Sequence, residues 1–296
     1  MGCWFTPLIV PSAETAALSG EHELDCLVEA LNEGWNSSLP LIDPRPQPDY
    51  CDGFRDDAFT SEQLTRLKAL CCDRAAGNQY LFMATNEMFF PFLTCEVKCG
   101  VVGLDTADRQ NAHSMTLAVR GVVDLFQRVN REKELHRQIV AFSISHDNSQ
   151  VRHYGHYAEI DGQTIRYYRH TIREFTFTDE KDRWVSYRFT KALYTNWMPQ
   201  QLRKICSAID MLPLINESAL DTPPITTAAQ SSETGGSSRL DATPESPSEE
   251  FAPLAKAPPK AHLKSLYPVA KVLRQARRAR QGSGRERDER IENKLV

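Results

Sequence analysis

The sequence predicts an α/β fold, built as one domain over residues 21–212 and followed by a tail with no core of its own. Three observations lead there. Apolar residues concentrate before position 212, after which the composition turns to Pro, Ser, Thr, Glu and Ala. The run 89–99 is apolar almost throughout until Glu96 and Lys98, as a strand buried on both faces is, and residues 139–145 read as another strand. Between them, residues 107–130 place Ala112, Met115, Val119, Val122, Val123, Phe126 and Val129 at the spacing of an amphipathic helix. A chain of 296 residues admits one large domain or two ordinary ones. A folded unit of about 190 residues is large enough to bury its own core.

The elements are taken in chain order. Residues 1–20 read as a leader. Met1-Gly2-Cys3 formally matches a lipidation pattern, but the Trp4-Phe5 that comes next fits it poorly and an ordinary start is the simpler reading. Residues 21–35 carry Leu24, Leu27, Val28 and Leu31 at helical spacing and predict a first helix, ended by Asn-Ser-Ser-Leu-Pro. The prolines of 44–48 impose an extended approach to a short strand, Asp49-Tyr50-Cys51-Asp52-Gly53, ending at the glycine. Thr60 or Ser61 is placed to cap a helix to about Asp73, with Leu64, Leu67 and Leu70 on one face. Residues 151–160 and 164–175 read as a hairpin turning at Asp161-Gly162. Residues 184–211 read as a closing helix, with Pro199 a kink or break in it. Residues 213–262 lack periodicity and read as a disordered linker, and 263–296 as a basic tail.

The formal net charge of −4 hides three blocks. Residues 256–296 hold twelve Lys or Arg against four Asp or Glu, and residues 213–255 one Arg against seven acids, which leaves −6 for the first 212 residues. The basic cluster Lys271, Arg274, Arg277, Arg278 and Arg280 points to nucleic acid or to a nuclear transport receptor, so the nucleus is the favoured compartment over the cytoplasm. The acidic domain offers no basic excess of its own to grip phosphates. No apolar run is long enough to span a membrane and no secretory signal is present. The eight cysteines form no CxxC pair. Cys95 and Cys99 flank a strand-like run and fit small buried apolar residues better than zinc ligands.

Glu96-Val97-Lys98 is the segment that carries chemistry. Side chains alternate along a strand, so Glu96 and Lys98 share a face about 7 Å apart while Val97 points away. A carboxylate and an ammonium on a buried strand are costly unless paired or used. Asp49 opens the earlier strand. If the two strands pair, Asp49 and Glu96 converge on one divalent cation, for which Mg²⁺ or Mn²⁺ is the oxygen-preferring choice and the Val97 carbonyl a third oxygen. Lys98 would then orient or deprotonate the attacking water and stabilise charge growing on a phosphate. Asp52 is a competing ligand to Asp49. The same Glu-X-Lys would also serve as a plain ion pair.

Pro48-Asp49 followed by Glu96-Val97-Lys98 resembles the PD-(D/E)XK nuclease superfamily. The chain is similar in particular to a fungal branch of uncharacterised domains with a Pro-Asp strand, a Phe-Pro-Phe-Leu segment leading into Glu-X-Lys, and a helix opening on Gln-Asn-Ala. Here these are Phe90-Pro91-Phe92-Leu93 and Gln110-Asn111-Ala112. The resemblance spans most of residues 20–212, although the gap from Asp49 to Glu96 is longer than in compact members. It implies a restriction-endonuclease-like core, a mixed central sheet flanked by helices, and a metal-dependent nuclease acting on DNA or RNA. It also implies a further acidic ligand from the first helix, for which Glu29 is the candidate, and a helix glutamine at the active site or substrate, for which Gln110 is the candidate. The fold also hosts inactive members, so a catalytically silent module binding nucleic acid or protein is the alternative. His146-Asp147 and the pair His153/His156 suggest a metal site on composition alone. On a strand, His-x-x-His puts the rings on opposite faces, which suits surface residues better. No Gly-x-Ser-x-Gly, Walker or dinucleotide motif appears.

Overall fold

The computed structural model describes residues 6–72, 78–99 and 103–214. The basic cluster from Lys271 to Arg280 and nearly all of the expected linker lie outside those residues. Six strands form one mixed sheet in sequence order: β1 (Leu27–Ala30), β2 (Tyr50–Phe54), β3 (Phe89–Val97), β4 (Ile139–His146), β5 (Gln150–Asp161) and β6 (Thr164–Thr176). Neighbours run antiparallel except β3 and β4, which are parallel. Parallel neighbours need a crossover, supplied here by the 25-residue helix α4 (Leu104–Arg128). β3 and β4 are buried along almost their whole length, as their apolar runs require.

The sheet has two covered faces. α4 lies on one, where Met115, Val119, Val122 and Phe126 are buried. On the other, Phe142 of β4 meets Phe189 and Trp197 edge-on at centroid distances of 5.9 and 4.9 Å. Those two rings come from a closing helical run: α5 (Val185–Ala192), a π-helical segment Leu193–Trp197, and α6 (Met198–Ile209). Pro199 does not break this run. It stands in the first turn of α6, where a missing N–H is tolerated, and the irregularity is the widened π turn before it, which brings Tyr194 and Trp197 inward.

Two expectations fail in the N-terminal third. Residues 21–35 are not a helix: a 3₁₀ turn, His22–Leu24, leads into β1. Leu31, which completed the apparent helical stripe, is 68% exposed. Hydrogen bonding to β2 outweighs a local pattern of only four apolar positions. The stretch read as a leader also packs. α1 (Thr6–Ile9) and α2 (Ala13–Leu18), the latter capped by Ser12, bury Ile9, Val10 and Ala13 in the core.

Elsewhere the outline holds. α3 (Ser61–Lys68) starts on a Thr60–Gln63 capping box and ends short of Asp73. The β5–β6 hairpin turns where Gly162 takes φ +57°, a conformation that suits glycine. Cys95 is fully buried, but Cys99, past the end of β3, is exposed.

Candidate active site

Asp49 stands immediately before β2, and the pairing of Tyr50 with Cys95 brings it to the end of β3. Its carboxylate Oδ2 accepts the Val97 backbone N–H at 2.7 Å. Glu96, on the α4 face of β3, is 2% exposed. Lys98 extends the β3–β4 ladder by donating its backbone N–H to the His146 carbonyl, and its Nζ turns back to donate to Glu96 Oε2 at 3.0 Å. The same ammonium stands 3.8 Å from Asp49 Oδ2. Two carboxylates thus meet one ammonium within 4 Å. The Asp49 side chain is 40% exposed, so the cluster opens to solvent on that side.

Burial pushes the Glu96 carboxyl up to about 7, against the pull of the Lys98 ammonium and with a further push from the neighbouring Asp49. A carboxyl in that state gains from any cation beside it. Oxygen donors of this kind suit a hard divalent ion that keeps several waters. Asp49 and Glu96 furnish two such donors. Among the described residues no group of three or more His, Cys, Asp or Glu side chains is placed to hold a metal ion. Two carboxylates could hold such an ion only with waters completing its shell, and they do not make a closed zinc site.

Asp52 and Glu29 do not join this cluster. Alternation along β2 turns Asp52 to the opposite face of the sheet, paired across β1 with Glu29. There Asp52 is fully buried and accepts from Tyr50 Oη (2.8 Å) and Tyr194 Oη (2.7 Å). Tyr50 Oη also contacts Glu29 Oε2 at 3.0 Å, Ser12 donates to Glu29 Oε1 at 2.8 Å, and Tyr194 Oη reaches the Pro11 carbonyl at 3.1 Å. This network ties the N-terminal segment to the sheet. Burial pushes the Asp52 carboxyl up to about 8 even though both tyrosines pull it down. Glu29 comes from a strand, not from the helix expected there.

Gln110 is exposed at the surface of α4. Its neighbour Asn111 is the residue turned inward: fully buried, it accepts from Thr94 Oγ1 at 2.6 Å and donates to the Ile144 carbonyl and Ser145 Oγ at 3.0 Å each. Asn111 thereby clamps the parallel pair β3–β4 beside the Glu96–Ser145 register position. One signal in the sequence pointed to it, since a polar residue four before Met115 interrupts the apolar stripe of the helix. The same row continues to Arg152 on β5, whose guanidinium is taken up by Asp105, Asp108 and Glu174.

His153 and His156 do lie on opposite faces, but both are buried, not exposed. His153 stacks on Phe189 at 4.4 Å and bonds Ser186, while His156 bonds Ser143. Burial pushes both rings down to about 3, which keeps them neutral. The long β5 strand is covered on both sides by helices, which is why its histidines act as core residues. His146, also buried, contacts Thr6 Oγ1 and the Asp147 carbonyl.

The family described as Domain of unknown function (DUF7924) matches residues 4–209, and the chain belongs to it. The match takes in α1 and α2 as well as the sheet, and it does not speak to the nuclease superfamily. No curated protein and no solved structure matches the chain. Among the described residues no helix is long and apolar enough to cross a membrane.

Proposed function

We propose that this member of the family is a Mg²⁺- or Mn²⁺-dependent nuclease of the PD-(D/E)XK type, hydrolysing phosphodiester bonds of nucleic acid. The observation that carries the reading is the meeting of Asp49, Glu96 and Lys98 within 4 Å at one end of β3. The mixed sheet flanked by helices is in keeping with the restriction-endonuclease-like core that the sequence resemblance implies. Asp49 and Glu96 would hold the cation, with the Val97 carbonyl beside them. When bound, such an ion lowers the pKa of a coordinated water and polarises the phosphoryl group. The Val97 N–H orients the Asp49 carboxylate. Lys98 favours the ionised form of Glu96 and presents ammonium protons to the charge that grows on the phosphoryl oxygens. The basic tail would supply the grip on nucleic acid that the acidic domain lacks, and would direct the chain to the nucleus.

A second reading is favoured by one observation. Lys98 already neutralises Glu96 in a 3.0 Å contact, and no third acid joins the pair among the described residues. A self-compensated cluster of this kind also suits a catalytically silent module on the same fold. The deciding experiment titrates the purified full chain with Mg²⁺ or Mn²⁺ and assays single-stranded and duplex DNA and RNA. Glu96→Ala and Lys98→Ala are run alongside, with thermal melts to show that both variants fold. Metal-dependent cutting that vanishes in both variants is the expected result. Neither metal binding nor cutting by the folded parent would retire the nuclease reading in favour of the module.

A further inference from the structure

A groove of about 270 Å³ lies on the flank of α3, and none of Asp49, Glu96 and Lys98 lines it. Its floor is apolar: Leu64 and Leu67 from α3, Phe82 and Met83 from the segment that leads into β3, and Phe89 that opens the strand. Lys68, Asn78 and Asn86 add polar atoms, and Lys68 and Asn86 are exposed. The volume is below the usual range for a cofactor or substrate pocket and suits a few aliphatic side chains.

The described chain ends beside α3. Its last described residues are held on α3: Arg66 donates to the carbonyls of Asp210 and Leu212, and Gln63 Nε2 donates to Asp210 Oδ1. A helix with its side chains is about 10 Å across, and an extended residue covers about 3.3 Å, so roughly three or four residues carry the chain from one flank of α3 to the other. Past Pro213 the sequence reads Leu214-Ile215-Asn216-Glu217-Ser218-Ala219-Leu220-Asp221. It offers apolar Ile215 and Leu220 to the floor and acidic Glu217 and Asp221 to Lys68. A segment tethered this close acts at an effective concentration in the millimolar range, which a free partner or a second copy does not match.

We infer that residues 215–221 of this chain dock in the groove between α3 and the segment before β3, and so anchor the root of the tail to the domain. Hydrogen exchange on the full chain tests this, at two protein concentrations. Beside the parent stand Ile215→Asp/Leu220→Asp, whose changes lie outside the described fold, and Lys68→Glu, at an exposed position. The amides of 215–221, corrected for intrinsic rates, are expected to exchange at least about tenfold more slowly in the parent than in the double variant, ~1.4 kcal/mol of docking. Lys68→Glu is expected to remove part of that protection, and dilution none of it. Equal exchange in parent and double variant overturns the inference. So does protection indifferent to Lys68→Glu, and protection that falls on dilution would assign the groove to a second copy instead.

Discussion

Asp52→Asn tests the electrostatics of the buried face most directly. In the folded chain the Asp52 carboxyl titrates at about 8, against 3.8 for an ordinary aspartate, because it is buried between Tyr50 and Tyr194. The neutral form is fully accommodated. Its proton can go to Tyr194 Oη while that hydroxyl donates to the Pro11 carbonyl, or to Tyr50 Oη while that one donates to Glu29. Because the folded-state pKa is raised, the stability this group contributes is complete below about pH 4 and is lost as pH climbs toward 8. Over that window the folded chain binds one more proton than the unfolded chain, so stability falls by about 1.4 kcal/mol per pH unit. Asparagine keeps the shape and hydrogen-bonding capacity of the neutral acid and carries no proton equilibrium. Urea unfolding at pH 5, 6 and 7 therefore should show the difference between Asp52→Asn and the parent moving in favour of the variant by about 3 kcal/mol across the two units. Glu96 titrates in the same window but is common to both proteins and cancels. A difference that does not change with pH would show that Asp52 is ionised in the folded state at ordinary pH, and the argument from burial would fail.

Other predictions concern the site and its supports. If Asp49 and Glu96 hold a cation, Mg²⁺ must displace the Glu96 proton, so affinity by calorimetry should fall about tenfold per pH unit below pH 7, and Glu96→Gln should flatten that dependence. Asn111→Leu strands the Ile144 carbonyl and the Thr94 and Ser145 hydroxyls; a loss of roughly 2–4 kcal/mol in chemical unfolding is expected, and a loss under 1 would mean that the clamp between β3 and β4 is dispensable. At Gly121 an added methyl would stand 2.3 Å from the Leu81 carbonyl oxygen. Gly121→Ala should therefore lower the melting temperature despite the better helix propensity of alanine, with overpacking of about 1–3 kcal/mol exceeding a gain of about 1.

The α/β class and most of its elements were legible in the sequence because they rest on short-range patterns. The buried runs of β3 and β4, the stripe of α4 and the turn at Gly162 each announce themselves within a window of a few residues to two dozen. That Glu96 and Lys98 share a face follows from strand alternation alone. The tertiary structure decided the rest. Only the pairing of β2 with β3 brings Asp49 to Glu96, and the same pairing turns Asp52 to the far side, a one-in-two choice of face that composition does not reveal. Within residues 21–35, Leu27–Ala30 takes a strand because β2 offers hydrogen bonds that outweigh four helically spaced apolar side chains. Cover by helices on both faces of β5 makes His153 and His156 core residues, and no local signal reports which helices will lie there. Burial of Glu96 and Asp52, which sets the protonation of both, is likewise a property of the assembled layers, since the free energy of a charge depends on everything that replaces water around it.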